Sequence, residues 1–261
     1  MSIFKRTGTK LRQSLLSLIW RTTIHTNEHL FRAYVRNDPV VMDSLIQGLD
    51  RPDLFDWDSV TLPPKLEHFE DLAFVFWLTP LNRGLLRQDI DEAFALFRTV
   101  NSLHEPIGVE IGRAFGASTI LLALAVGHRG RIVSIDIAPQ HDIHLRTVLE
   151  RFGLDGRVDL IVDDANNVIL DQQLDFVFID GDHSYQGAKR DHNRWAKRVK
   201  PGGYIIHHDM ANARPYATQW ESLRRLREEI LLHQKTQVEL VEEVGSLSVF
   251  RRTGAEFDEL E

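Results

Sequence analysis

The sequence predicts an α/β protein with a doubly wound, mostly parallel sheet, a closing C-terminal antiparallel hairpin and a helical N-terminal extension. Two observations support this prediction. From residue 104 onward, short continuous apolar segments alternate with segments of helical periodicity, which is typical of a parallel sheet covered on both faces. Near the C-terminal end, two apolar segments are separated only by residues 242–246, and strands joined by so short a link must be antiparallel.

The composition limits the classes of function. The chain has 261 residues, of which 43% are hydrophobic, and this favours a packed globule of one large domain or a core with an appendage. A formal net charge of −7 argues against a nucleic-acid partner bound by phosphate neutralisation. The absence of cysteine excludes disulfides, thiolate metal sites and a cysteine nucleophile. No segment approaches the roughly 18 apolar residues that span a bilayer, so we expect no membrane span and a cytoplasmic location.

Residues 1–103 are predicted to be a helical region. Helical spacing of apolar residues occurs in 40–46 and 69–76, and again where Ile90, Phe94, Phe97 and Val100 mark one face of an amphipathic helix. Five basic residues precede the first acid, namely Lys5, Arg6, Lys10, Arg12 and Arg21. We expect this basic helix to pack on its own protein, with association at a membrane surface or with a partner subunit as the alternative.

Residues 104–253 carry the predicted sheet, and 254–261 form a tail. Strands are predicted at 107–111, 131–135, 158–162, 174–179 and 204–206, followed by the hairpin strands at 237–241 and 247–250. Helices are predicted around 120–125, around 143–152 and on a face marked by Ala188, His192, Trp195 and Val199.

Three of the predicted strands end in residues that suit a nucleoside ligand. Gly112 and Gly116 follow the first strand and permit a tight turn in which the backbone approaches a ligand. Asp136 ends the second strand, where an acid can accept both hydroxyls of a ribose, and Asp164 follows the third. Each acid alone can equally cap a helix. The Gly-x-x-x-Gly spacing lacks the G-x-G-x-x-G pattern of a dinucleotide-phosphate site.

Together, the loop Glu110-x-Gly112-x-x-x-Gly116-x-Ser118, the acids Asp136 and Asp164 and the string Ile179-Asp180-Gly181-Asp182-His183-Ser184-Tyr185 resemble class I S-adenosylmethionine-dependent methyltransferases. The resemblance covers residues 104–253 and is strongest to the small-molecule O-methyltransferase group that includes the macrocin type. It implies a Rossmann-like, seven-stranded sheet and S-adenosylmethionine as cofactor. The cofactor contacts that it implies are Glu110, Gly112, Arg113, Gly116, Ser118, Asp136, Ile137, Asp164, Ala165 and Asp180.

A second group of polar residues follows the fourth and fifth strands. Asp180, Asp182 and His183 follow the fourth, and His207-His208-Asp209 follows the fifth, so both groups are expected at the same sheet edge. Methyl transfer to a hydroxyl requires alignment of the acceptor and removal of its proton. His183 is the candidate base because an imidazole titrates near pH 6.5, with Asp182 as the alternative base. His183 can instead cap the following helix.

The resemblance also maps a divalent-cation site onto Asp180, His208 and Asp209. Imidazole suits Zn²⁺, Fe²⁺ or Ni²⁺ better than Mg²⁺, which prefers oxygen ligands. Three options therefore stay open: Mg²⁺ held by Asp180, Asp209 and water, a softer ion, or catalysis without a metal. His207 is expected to point away from His208 and to be packed in the core.

We therefore expect methyl transfer from S-adenosylmethionine to a hydroxyl of a small molecule, such as a sugar or a natural-product scaffold. The N-terminal helices are expected to cover the acceptor pocket or to form a homo-oligomer interface. Two alternatives are a nicotinamide-dependent oxidoreductase, against which the glycine spacing and the hairpin argue, and a non-catalytic S-adenosylmethionine-binding regulator.

Overall fold

The computed structural model describes residues 57, 60–76, 85–86, 88–211 and 221–261. Contacts divide the chain into a compact unit of residues 65–72 and 88–261, here called the sheet unit, and a second unit of residues 1–64 and 73–87. The domain boundary expected at residue 104 thus falls inside the sheet unit. The helix predicted at 40–46 and the basic N-terminal helix lie outside the described residues.

The second unit is described only in part. Its described residues include the short helix α1, Ala73–Phe76, in which Val75 and Phe76 are buried. The carbonyl of Val75 accepts a hydrogen bond of 2.8 Å from the backbone N–H of Leu86. Trp57 is also buried.

The described residues of the sheet unit begin with a 3₁₀ turn and include five α-helices. These are the 3₁₀ turn Phe69–Leu72, then α2 Ile90–Asn101, α3 Ala117–Ala125, α4 Asp142–Arg151, α5 Tyr185–Ala196 and α6 Glu221–His233, with a second 3₁₀ turn at Asp155–Arg157. Seven strands alternate with them: β1 Ile107–Ile111, β2 Arg131–Asp136, β3 Val158–Val162, β4 Leu174–Ile179, β5 Val199–His207, β6 Val238–Val244 and β7 Leu247–Arg252.

The seven strands form one sheet in the order β3-β2-β1-β4-β5-β7-β6, and the predicted fold is confirmed. Strands β1 to β5 pair in parallel, whereas β7 pairs antiparallel with both β5 and β6. The strand order reverses direction between β1 and β4, which is the topological switch point where open α/β sheets bind ligands. The carboxyl ends of β1, β2 and β4 therefore mark the expected position of a site.

The central strands are buried on both faces, which explains why their sequences read as continuous apolar runs. Phe176 and Phe178 of β4 are completely buried, and Trp195 of α5 is nearly so. Complete burial of an apolar side chain of this size contributes about 1.5–3 kcal/mol. One residue was misplaced by the helical pattern: Val199 belongs to β5, opposite Leu174 of β4, and not to the face of α5.

The buried face of α2 differs from the predicted one. Ile90 and Phe94 are 59% and 48% exposed, whereas the residues turned inward are Glu92, Ala93, Ala95, Leu96, Thr99 and Val100. Phe94 and Phe97 instead contact the ring of Phe69, at centroid distances of 5.0 and 5.4 Å. The apolar residues at helical spacing therefore do not mark the buried face of α2, which includes the acid Glu92.

The tail after β7 is held on α5. The side-chain amide of Asn193 donates to the carbonyl of Leu260 (2.8 Å) and accepts from its N–H (2.9 Å). Leu260 itself is buried.

Within the described part of the chain, no helix has the length and hydrophobicity that a bilayer crossing requires.

Candidate active site

A crevice of about 500 Å³ lies at the carboxyl ends of β1, β2 and β4. Its wall combines residues from the ends of β1 and β2, from the loops after β1, β2, β3 and β4, and from α5: Ile111, Gly112, Ala114, Ile135, Asp136, Ile137, Asp163, Asp164, Ala165, Asp180, Gly181, Asp182, His183, Arg190 and Asp191. The volume is in the range of small-molecule sites in proteins. The strand tips singled out by the sequence therefore meet in one place.

The loop after β1 forms the floor of the crevice at Gly112. Gly112 has φ +83°, and a Cβ atom at this position would lie 2.3 Å from the carbonyl oxygen of Asp180. Only glycine avoids both the strained backbone and this clash. Gly116 has φ +88° and precedes the first residue of α3. Both predicted glycine positions therefore have a local structural reason.

Asp136 is fixed by backbone donors. Its Oδ2 accepts hydrogen bonds from the N–H groups of Arg113 (2.8 Å) and Ala114 (3.0 Å), and its Oδ1 accepts one from Ala138 (2.8 Å). An oxygen with two lone pairs accepts two such bonds, so Oδ1 can still receive a ligand hydroxyl. The neighbouring Ile137 is 76% exposed and lines the crevice.

Three of the residues implied as cofactor contacts have side chains behind the crevice wall. Glu110, Arg113 and Ser118 are 0%, 2% and 7% exposed and do not contribute to the lining. Their side chains support the loop after β1, and the expected contact of these three residues with the cofactor stays a prediction.

Glu110 and Arg113 are held in the interior by different interactions. Glu110 accepts hydrogen bonds from the hydroxyls of Thr119 (2.6 Å) and Ser134 (2.5 Å), and burial raises its pKa to about 7 although bonds from Ser118, Ser134 and Thr119 oppose this. Arg113 forms a buried, two-bond ion pair with Asp142, with N–O distances of 2.8 and 2.7 Å. It also donates to the carbonyls of Ser134 and Ile161.

Asp164 is part of a small network that reaches α5. The amide nitrogen of the Asn166 side chain lies 2.9 Å from Asp164 Oδ1 and 2.9 Å from Asp191 Oδ1. Hydrogen bonds from Asn166 lower the pKa of Asp164, whereas burial raises the pKa of Asp191 to about 6. Arg190 and Asp191 had no signal in the sequence beyond their place on a polar helix.

At the other strand tips, Asp180, His183, His208 and Asp209 form a charged group that we call the tip cluster. His183 Nε2 lies 3.4 Å from Asp180 Oδ1 and 3.6 Å from Asp209 Oδ2. His208 Nδ1 lies 3.2 Å from Asp180 Oδ1 and 3.4 Å from Asp209 Oδ2. The sequence-predicted residues of both the base and the metal site thus come together.

Burial and the neighbouring charges in the tip cluster shift the pKa values of its members. Burial alone would raise the pKa of Asp180, but the charge of His208 and hydrogen bonds from His183 and His208 hold it well below its usual value. Burial alone would lower the pKa of His208, but Asp209 and Asp180 raise it well above 6.5. Burial also lowers the pKa of His183, but Asp180 and Asp209 outweigh it and raise the value. Perturbed groups in a crevice are typical of functional sites.

Potential ligand atoms of Asp180, His183 and Asp209 lie within 4.8 Å of one another, close enough to share a cation. With His208 Nδ1 beside both carboxylates, the set is two carboxylates and two imidazoles. Such a mixed set suits Zn²⁺, Fe²⁺ or Ni²⁺ at least as well as Mg²⁺. The backbone of Asp209 is left-handed, with φ +57°, and strained residues of this kind cluster at functional sites.

Glu92 of α2 is a member of the site that sequence reasoning missed. It is completely buried, and its Oε2 lies 3.2 Å from His208 Nε2. Its Oε1 accepts hydrogen bonds from the N–H (2.5 Å) and hydroxyl (2.9 Å) of Ser246 in the β6–β7 turn. Glu92 also accepts from the N–H of Asp89, the residue before α2. In the sequence this acid is indistinguishable from an ordinary capping-box residue.

Asp182 and His207 are each held by local contacts. Asp182, the alternative base, accepts a hydrogen bond of 2.8 Å from the N–H of Ser184 and packs against Gly187 in the first turn of α5. His207 points away from the tip cluster, as strand alternation predicts, and its Nε2 lies 3.0 Å from His192 Nδ1. Burial lowers the pKa values of both histidines.

Part of the chain is similar in sequence to known methyltransferases. Residues 109–210 match a family described as a methyltransferase domain. A catechol O-methyltransferase of Mycobacterium tuberculosis is 35% identical over 101 residues, which are 38% of this chain and 44% of that protein. A probable caffeoyl-CoA O-methyltransferase of Dictyostelium discoideum is 30% identical over 104 residues, or 37% and 44% of the two chains. The chain thus spans less than half the length of these relatives.

Solved structures show the same fold. An O-methyltransferase from Bacillus cereus in complex with SAH has a TM-score of 0.53 at 22% identity, over 79% of this chain and 100% of that chain. The O-methyltransferase TomG from Streptomyces achromogenes in complex with SAM has a TM-score of 0.55 at 18% identity, over 80% and 98%. These structural matches show a shared fold, and the partial sequence matches to O-methyltransferases confirm the resemblance that the sequence motifs predicted.

Proposed function

We propose that this protein transfers a methyl group from S-adenosylmethionine to a hydroxyl of a small molecule. The observation that carries the proposal is that the crevice at the switch point is lined by Asp180 and His183 of the tip cluster, in which His183 lies near the carboxylates of both Asp180 and Asp209. Gly112, Asp136 and Asp164 line that crevice at the positions that bind the methionine, ribose and adenine parts in the resembling family. The relatives' names support an oxygen acceptor.

His183 is the proposed proton acceptor. The side chain of His183 is 37% exposed, lines the crevice, and turns its Nε2 toward Asp180 and Asp209. The two carboxylates favour the imidazolium that forms when His183 takes the proton. The sulfonium methyl needs no activation by the protein, so alignment of the acceptor and removal of its proton are the tasks left to these residues.

Asp180 and Asp209 have a second proposed role, as ligands of a divalent cation that would also contact His208 Nδ1. When bound, such a cation lowers the pKa of an acceptor hydroxyl. The fit is supported by two observations: ligand atoms of Asp180, His183 and Asp209 lie within 4.8 Å of one another, and His208 Nδ1 lies 3.2 Å from Asp180 Oδ1 and 3.4 Å from Asp209 Oδ2. Asp180 and Asp209 in addition restrict where the acceptor can lie, whether or not a cation is present.

The cofactor part of the proposal is tested by calorimetric titration of the full chain with S-adenosylhomocysteine and, as a control, with NAD. We expect binding of the first and none of the second. Binding of NAD alone would favour the oxidoreductase alternative and contradict the proposal.

The catalytic part is tested by following S-adenosylhomocysteine release with catechol, caffeoyl-CoA and simple glycosides as acceptors, with and without EDTA. His183→Ala should lower turnover about 100- to 10,000-fold, the usual contribution of a general base, and leave S-adenosylhomocysteine affinity within about threefold. Unchanged turnover in His183→Ala would remove the residue from the mechanism. Full activity in the presence of EDTA would exclude a role for a divalent cation in the reaction.

A further inference from the structure

Asp191 is a buried acid at the crevice that the proposed chemistry does not use. It lies on α5, is 4% exposed and contributes to the wall of the crevice. Burying a carboxylate is costly unless it is hydrogen-bonded. The partner that the structure provides is the side-chain amide of Asn166, at 2.9 Å from Asp191 Oδ1.

Asn166 connects this acid to Asp164. The same amide nitrogen lies 2.9 Å from Asp164 Oδ1, and the backbone N–H of Asn166 donates to that oxygen as well, at 2.8 Å. An amide NH₂ group has two hydrogens, so it can serve both carboxylates at once. These two hydrogen bonds occupy both lone pairs of Asp164 Oδ1. Among the described residues, the hydrogen bonds to the Asp164 side chain all go to this oxygen, which leaves Oδ2 for a ligand.

We propose that Asp191 and Asn166 are positioning residues for the nucleobase of the cofactor. Asp191 holds the Asn166 amide, and the amide holds Asp164 Oδ1, so that Oδ2 is aimed at the exocyclic amino group of adenine. This inference rests on the proposed function, which places the adenine at Asp164 and Ala165. It adds that a residue on α5 sets the preference for an amino-bearing base.

The consequence is discrimination between adenine and hypoxanthine. S-Inosylhomocysteine carries a carbonyl oxygen where S-adenosylhomocysteine carries the amino group, and a fixed carboxylate rejects that oxygen because no hydrogen bond can form. Sites built to hydrogen-bond a polar group reject analogues that lack it far better than apolar pockets do. A loosened Asp164 should reject the analogue less well, whereas a general loss of structure should weaken both ligands equally.

The test is calorimetric measurement of Kd for both nucleosides on the full chain. We expect the wild type to bind S-adenosylhomocysteine at least about tenfold more tightly than the inosyl analogue. Asn166→Ala and Asp191→Ala should raise the Kd for S-adenosylhomocysteine roughly fivefold to twentyfold, the equivalent of about one hydrogen bond. The Kd for the analogue should change by less than about twofold. Asp191→Asn keeps an acceptor oxygen for the Asn166 amide and should restore nearly wild-type discrimination.

The neighbouring Asn167 provides the matched control. Its amide donates to Asp163 Oδ1 at 2.9 Å in the same loop and makes no hydrogen bond to the Asp164 carboxylate, so it supports the loop without holding Asp164 Oδ1. Asn167→Ala should leave the ratio of the two Kd values unchanged. If it narrows the ratio as much as Asn166→Ala does, loosening of the loop explains the effect and the inference is overturned.

Other outcomes separate the two claims. If the wild type binds neither nucleoside, the proposed function fails and the inference fails with it. If the wild type binds S-adenosylhomocysteine but both alanine variants weaken both ligands equally, the inference alone fails. Loss of discrimination in Asp191→Ala but not in Asn166→Ala would show that Asp191 acts without Asn166, which also overturns it. Asn166 is half-buried in a loop, so its variant carries the test even if Asp191→Ala does not fold.

Discussion

Replacing Glu92 by alanine should destabilise the sheet unit severely. Glu92 accepts hydrogen bonds from Ser246 and Asp89 and pairs with His208, and all of these contacts use a carboxylate with no solvent exposure. Its removal leaves the N–H of Ser246 without its acceptor, and it leaves the Nε2–H of His208 with only the Ser246 hydroxyl at 3.4 Å. Each such donor costs about 1–3 kcal/mol. The sum agrees with the roughly 3–5 kcal/mol lost when one partner of a buried ion pair is removed.

The pH dependence of this loss has a defined sign. The pKa of Glu92 is lowered to about 2, because His208 and the backbone donors outweigh its burial, so its contribution is lost as pH falls below 4.5 toward 2. The pKa of His208 is raised well above 6.5, so its contribution is lost as pH rises through that higher value. The free energy of unfolding of the variant should therefore differ most from that of the wild type between pH 4.5 and 6.5, the unshifted pKa values of the Glu and His side chains.

The measurement is urea unfolding at several pH values, followed by circular dichroism, for wild type, Glu92→Ala and Glu92→Gln. The glutamine variant retains one acceptor oxygen and should lose only about 1–3 kcal/mol. Glu150→Ala, an exposed acid at the end of α4, is the control. A loss for Glu92→Ala within about 0.5 kcal/mol, as expected of surface positions, would refute the reasoning, and so would a loss that does not vary with pH.

Three further predictions concern the support of the crevice. Burial raises the pKa of Glu110 from 4.5 to about 7, so the free energy of unfolding of the wild type should fall by about 3 kcal/mol as pH rises through this interval. In urea titrations, Glu110→Gln should lack this fall with pH, and an unchanged fall would contradict the raised pKa of Glu110. Arg113→Met leaves the Asp142 carboxylate buried without its ion pair and should cost about 3–5 kcal/mol, measured in the same titration, whereas a neutral result would mean that Asp142 finds another partner. Gly112→Ala places a Cβ 2.3 Å from the carbonyl oxygen of Asp180 and should abolish S-adenosylhomocysteine binding in calorimetry; wild-type affinity would show that the loop can move aside.

Most of the sheet could be predicted because its central strands are buried on both faces. Strands β1, β3 and β4 begin and end where the apolar runs do, and Gly245 with Ser246 marks the closing turn. The sheet edge then brought Asp136, Asp164, Asp180 and His183 together without further information, since parallel strands present their carboxyl ends on one side.

What could not be predicted depends on which way a side chain turns. Arg113 lies in the loop after β1, but its guanidinium pairs with Asp142. Glu92 carries the spacing of a capping box, and only the fold shows that the same carboxylate reaches His208 and the β6–β7 turn. Asp191 gave no signal because a single acid on a polar helix has no period or motif.

The most direct test of this account is a crystal structure of the protein with S-adenosylhomocysteine. We predict the adenine amino group beside Asp164, the ribose hydroxyls at Asp136 and the sulfur turned toward Asp180 and His183. A nucleoside found outside the crevice would contradict the account. A sulfur that faces away from the tip cluster would do the same, because His183 could then not serve the methyl transfer.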